Sequence, residues 1–228
     1  MRPIVYFFGT LSNGFASYPQ DHTNTFLHDF VKKARLTSQI VLHREDNLLY
    51  YGYVRRINER DYIGICLVLD CIYTKVRHLF SIFDDAFANL IERGEIVKID
   101  ARSNIVWATD NFYSESVAIT ECSNDIIESV KVSKSNSQAL PPVNFSISVN
   151  DCLELSLDET EKVITDATKR YHNLYIAKKE ADIARITSFK NLVNIKNKEL
   201  RELNDNLTEK KKLINDLRIE NTKLKNKQ

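Results

Sequence analysis

Between Ile186 and the end of the chain, apolar residues return on a seven-residue beat. With Ile186 at heptad position a, the a positions are Ile186, Val193, Leu200, Leu207, Ile214 and Asn221, and the d positions are Phe189, Lys196, Leu203, Lys210, Leu217 and Leu224. Nine of those twelve are apolar, a stripe too narrow for one helix to bury alone, so the pattern demands a partner helix. The simplest partner is a second copy. The predicted dimer interface is Ile186, Phe189, Val193, Leu200, Leu203, Leu207, Ile214, Leu217, Asn221 and Leu224. No Gly or Pro follows Pro142 to turn the chain back on itself.

The flanking charges favour a parallel pair. At e stand Lys190, Lys211, Arg218 and Lys225, which would face one another and repel in an antiparallel pair, whereas in a parallel pair Glu220 at g meets Lys225 at e of the other chain. Asn221 at a finds its twin only in a parallel, in-register dimer. Leu192 and Leu213 at g widen the seam and leave a trimer open.

A chain of 228 residues holds one domain of about 130–150 residues plus an extended helical tail. The predicted organisation is a globular domain over 1–132, a linker over 133–155 rich in Ser, Asn and Pro at its start, and a helical region over 156–228 with the coiled coil from about 186. Residues 1–156 carry 15 Lys and Arg against 19 Asp and Glu, and residues 157–228 carry 17 against 12, so neither part is basic enough to point to nucleic acid. Cys66, Cys71, Cys122 and Cys152 form no C-x-x-C pair and read as reduced core thiols of a cytoplasmic protein. The longest apolar run, Tyr62 to Tyr73, contains Asp70 and is too short to span a bilayer, so a soluble chain is expected.

Along the first part, Ile4 to Phe8 and Phe15 to Tyr18 predict a hairpin across Asn13-Gly14, and Asp21 to Lys33 an amphipathic helix with Phe26, Leu27, Phe30 and Val31 at helical spacing. Gln39 to His43, Leu48 to Ile57 and Tyr62 to Ile72 predict an antiparallel meander whose last strand is apolar on both faces and therefore central. Thr74 to Arg93 predicts a long helix ended by Gly94, followed by a hairpin over Ile96 to Ile99 and Asn104 to Ala108 and a short strand at Ser116 to Ile119. From Ser156, spaced with Glu159 as a capping box, a helix carries the stripe Ile164, Ala167, Tyr171 and Leu174.

Catalytic patterns are missing. Gly9 and Gly14 have the spacing of a phosphate loop, but Phe15 and Ala16 stand where Lys and Ser or Thr are needed. His22 and His28, with Asp21 and Asp29, lie six residues apart on different helix faces and read as surface. Asp84 and Asp85 diverge by about 100° as helix neighbours, do not share a proton, and read as the exposed face. Asp70 reads as the exposed end of its strand. No catalytic, cofactor or metal residue is predicted.

The order strand, strand, helix, three strands, helix over Pro3 to Arg93 resembles the longin domain, a profilin-like sandwich of a five-stranded sheet and helices. The tyrosine-rich Leu49-Tyr50-Tyr51-Gly52-Tyr53-Val54, the apolar Ile65-Cys66-Leu67-Val68-Leu69 and the helix with Phe80, Phe83 and Phe87 are similar to the corresponding longin stretches. The expected fold class is thus α+β, an antiparallel sheet of five or more strands packed with helices, plus a long C-terminal coiled-coil helix. The resemblance implies a non-catalytic protein-binding module. A longin followed by heptads also looks like a longin SNARE, but no Arg occupies an a or d position and no membrane segment or lipidation Cys closes the chain.

The expected function is that of a non-enzymatic scaffold or signalling-assembly protein: a head that binds an unidentified protein, paired by the parallel coiled coil. The alternatives are the cytoplasmic part of a membrane receptor, a SNARE-like trafficking factor, and an enzyme with a site at the dimer interface. Replacing Asn221 by Leu should raise the melting temperature of a 180–228 peptide and loosen its choice of oligomer, because an apolar pair replaces a polar one. Circular dichroism melts and sedimentation of the two peptides check this, and a lower melting temperature for the variant would remove Asn221 from the seam.

Overall fold

The strand apolar on both faces is where the architecture begins, because a strand of that kind needs cover on each side. The computed structural model of the protein describes residues 2–21, 23–142, 152–178 and 203–219. The chain divides into two compact units, Met1–Ile183 and Ala184–Gln228.

In the first unit, β1 (Ile4–Leu11) and β2 (Gly14–Tyr18) form the predicted hairpin, with Gly14 at φ 104° in the turn. Helix α1 (Asn24–Phe30) runs into a 3-10 turn (Val31–Lys33), and β3 (Gln39–Glu45), β4 (Leu48–Arg56) and β5 (Tyr62–Leu69) form the meander. Then come β6 (Cys71–Tyr73), α2 (Val76–Arg93), the hairpin β7 (Val97–Ile99) and β8 (Ile105–Trp107), and α3 (Ser116–Val130). The unit closes with β9 (Ser137–Ala139), β10 (Cys152–Ser156), α4 (Glu161–Thr168) and β11 (Asn173–Ala177).

The main sheet has seven strands in the order β10-β11-β3-β4-β5-β1-β2. All neighbours are antiparallel except β10 and β11, which run parallel and are joined through α4, as a parallel pair requires. Strand β5 lies inside the sheet between β4 and β1, and Ile63 to Leu69 are all buried. On one face, α2 lays down Val76, Leu79, Phe80, Phe83, Phe87 and Leu90 and stops at Gly94, whose φ of 71° supplies the left-handed C-cap. α3 and α4 join α2 in the same core through Ile119, Ile126, Ile164 and Ala167.

The opposite face is covered by α1. Side chains alternate along β4, so Gly52 points away from its core neighbours Tyr51 and Tyr53, and Phe30 fills the space above it. A Cβ on Gly52 would lie 2.2 Å from the Phe30 ring. Gly64 of β5 makes the same allowance for Phe8, whose ring would stand 2.1 Å from an added Cβ.

In the second half of the first unit the structure departs from the sequence pattern. Ser116 to Ile119 is the first turn of α3, which buries Ala118, Ile119, Cys122, Ile126 and Val130 at helical spacing. In the stretch read as the start of a linker, β9 pairs antiparallel with β6, and the Arg44 guanidinium, itself buried, donates to the carbonyls of Asp46 and Pro141. In the stretch read as helical from 156, Ser156 ends β10 and Thr160 is the N-cap of α4, its hydroxyl accepting from the Val163 N–H at 3.3 Å. Leu174 belongs to β11, because Leu174-Tyr175-Ile176-Ala177 is a fully buried run and not one helical face. The first unit therefore continues to Ile183, well past the boundary expected at 132.

In the second unit, residues 203–219 form a helix, α5, exposed along its length. A long coiled coil from 186 is not evident: 179–202 and 220–228 lie outside the described residues, and so do Ile186, Phe189, Val193, Leu200, Asn221 and Leu224.

Gly52→Ala should destabilise the first unit by about 1–3 kcal/mol through overpacking against Phe30. Urea unfolding of the wild type and the variant measures it, and an unchanged midpoint would mean that Phe30 does not seat on β4.

Candidate functional site

α5 carries the part of the predicted interface that the structure describes. Leu203, Leu207, Ile214 and Leu217 are 65%, 50%, 51% and 53% exposed, values far above those of core residues of their size. Their spacing of four, seven and three residues keeps them on one stripe of the helix, and Leu213 at 60% exposure widens it. Residues 203–219 thus present an unpartnered apolar stripe, and the remaining predicted interface residues lie outside the described residues.

Within the first unit, Asp84 of α2 ties together side chains from three distant parts of the chain. Its Oδ1 accepts hydrogen bonds from Ser38 Oγ and Tyr53 Oη, both at 2.9 Å, and its Oδ2 accepts from Lys178 Nζ at 2.6 Å. Burial pushes its carboxyl pKa up, but the bonds from Lys178, Tyr53 and Ser38 outweigh burial and hold it below the ordinary carboxylate value. The Tyr53 hydroxyl is raised by its burial and by Asp84, so it stays protonated and donates. This overturns the reading of Asp84 as solvated surface. The sequence did contain the signal, since Phe80, Phe83, Asp84 and Phe87 are spaced i, i+3, i+4, i+7, the pattern of a buried stripe.

A cleft of about 240 Å³ separates α2 from α3, with Ile82, Ala86, Leu90, Cys122 and Ile126 at its floor and Asp85, Glu92 and Asp125 among its rim residues. Arg93 crosses to α3, its Nη2 lying 2.6 Å from Glu121 Oε2. Burial, aided by nearby Asp125, pushes the Cys122 thiol up to about 12, so at neutral pH it is an uncharged packing group and not a nucleophile.

The other sequence features fall into structural roles. Gly9 lies within β1, and a Cβ there would meet the Tyr62 carbonyl at 2.6 Å and the Trp107 ring at 2.8 Å, so this glycine makes room for an indole. Asp70 is exposed between β5 and β6, as expected. His28 is exposed and packs edge-on against Phe15 at 5.0 Å, and His22 lies outside the described residues. Cys66 and Cys122 are buried and Cys71 half-buried, but Cys152 at the start of β10 is exposed, which corrects its reading as a core thiol. Among the described residues, no three His, Cys, Asp or Glu side chains converge as metal ligands. No described helix is long and apolar enough to cross a membrane.

The chain matches no known family, no curated protein and no solved structure.

Asp84→Ala should destabilise the first unit by about 1–3 kcal/mol, because the buried Tyr53 hydroxyl loses its acceptor. The depressed carboxyl also fixes a sign with pH. Its contribution is complete above the unfolded-state value of about 4 and is lost as pH falls through the lower folded value. Urea midpoints measured from neutral pH to below that value should therefore converge for wild type and Asp84→Asn as acidity rises. A constant gap would show that the carboxylate charge at Asp84 contributes nothing.

Proposed function

We propose that this protein is a non-catalytic assembly protein: its first unit binds a protein, and its C-terminal helix joins that head to a second chain, most simply its twin in a parallel dimer. The observation that carries the reading is the exposed stripe Leu203, Leu207, Ile214 and Leu217 on α5. An apolar stripe of this spacing loses water contact by packing against another helix, and half-exposed Leu and Ile side chains at every described seam position other than Lys210 are what such a helix shows when seen alone.

The finer reading of the head as longin-like is part of this proposal. Supporting it are the order β1, β2, α1, β3, β4, β5, α2 and the placement of α1 and α2 on opposite faces of the sheet. β10 and β11 extend that arrangement beyond β3. The proposed location is cytoplasmic, supported by four cysteines in thiol form, one of them exposed.

Sedimentation of the full chain is the test. At about tens of micromolar, where helix pairs of this length associate, the wild type should sediment above the monomer mass. Leu207→Asp with Ile214→Asp should return it to monomer without altering the head, whose Tyr and Trp fluorescence serves as control. A wild-type chain that is monomeric throughout would overturn self-assembly through this helix.

A further inference from the structure

Helix α5 keeps its carboxylates off one face, and the charges left on that face say which helix suits it best. In the heptad frame Lys210 stands at d, inside the stripe formed by Leu203, Leu207, Ile214 and Leu217, while Lys211 and Arg218 stand at e beside it. The carboxylates of the same helix, Asp205, Glu209 and Asp216, fall at f, c and c, on the half turned away from the seam. Between 203 and 219 the seam and its e and g flanks therefore hold Lys210, Lys211 and Arg218 and no carboxylate; the remaining flank positions are Asn204, Asn206 and Leu213.

A twin helix meets this face poorly in either direction. A parallel, in-register pair sets Lys210 against Lys210 at a position where d side chains point at one another, and an antiparallel pair sets the e positions, Lys211 and Arg218, against each other. Neither arrangement brings a carboxylate of α5 to a cation of α5. The leucines and isoleucine still favour burial, so the face is apolar enough to pair and charged so that its own copy is a second-rate partner.

We propose that the favoured occupant of this face is an acidic amphipathic helix of a second protein, carrying Glu or Asp opposite Lys210 and along the flank that meets Lys211 and Arg218, with self-pairing as the weaker competitor. The proposal rests on the reading of α5 as an association surface and adds the chemistry of the partner. Such a helix keeps every apolar contact that a twin makes and replaces like-charge contacts by opposite-charge ones. Lys210 is the position that discriminates most, since a charge inside the seam is less screened than one on its flank.

The test uses the full chain and two synthetic helices of about four heptads with Leu at a and d. One helix carries Glu at e, at g and at the d facing Lys210; the other carries Lys at the same places. Fluorescence anisotropy gives their affinities, and sedimentation gives that of the chain for itself. The acidic helix should bind at least about tenfold more tightly than either the basic helix or a second copy, and raising salt should shrink that margin. The triple change Lys210→Glu, Lys211→Glu, Arg218→Glu should reverse the preference. The single change Lys210→Leu, which keeps a good helix former, should tighten self-pairing and reduce the preference for the acidic helix. Equal binding of the two helices, no binding of the acidic one, or a self-affinity that the acidic helix cannot displace would each overturn the proposal. A chain that is monomeric alone yet captures the acidic helix would overturn self-pairing and uphold this inference. A chain that pairs with itself and ignores the acidic helix would do the reverse.

Discussion

Strand β5 imposes the constraint from which the first unit is built. Residues Ile63 to Leu69 are buried without interruption, so water must be excluded from both faces of the sheet along its centre. One layer of helices cannot do that. The long helix α2 supplies one cover with a broad apolar face, and the short helix α1 supplies the other with Phe30 seated on Gly52. The glycines of β4 and β5 are part of the same solution, because an aromatic ring can approach a strand this closely where a side chain has been left out. Three of the five glycines of the chain make room for a ring in this way, Gly52 and Gly64 here and Gly9 of β1 beneath Trp107.

The elements that could be read from sequence were those whose signal is local. The Asn13-Gly14 turn, the meander and the α2 stripe with Gly94 depend on periodicity and turn chemistry within a short window, and each appears where expected. The late strands are a different case. β9, β10 and β11 are strands because of what they pair with: β6, β11 and β3, the last more than a hundred residues earlier in the chain. Ser, Gln and Ala in β9 have no strand preference of their own, and the polar content of that stretch made it look like a tether. Arg44, which holds the Pro141 carbonyl, sits in a strand whose sequence says nothing about a distant carbonyl.

For the sites, legibility followed the same division. The apolar stripe of α5 is a repeat, legible as a spacing within a short window, and the structure shows Leu203, Leu207, Ile214 and Leu217 exposed on a helix. Asp84 is hard to read because an acidic residue in a helix is usually solvated, although its spacing from Phe80 and Phe87 matches the buried face. Its partner Lys178 follows directly on β11, so the network depends on a strand that its pairing with distant β3 defines.

The late position of β11 in the chain bears on how the protein is made. β11 lies between β10 and β3, and Ile40 and Leu42 of β3, like Tyr175 and Ile176 of β11, are fully buried in the finished sheet. A ribosome releases β3 long before residues 173–177 have been polymerised. During that interval the growing polypeptide displays an open β3 edge with its amide and carbonyl groups unpaired, and native closure waits for nearly the whole first unit to emerge. A translational pause placed after α3 would therefore prolong the exposure of that edge.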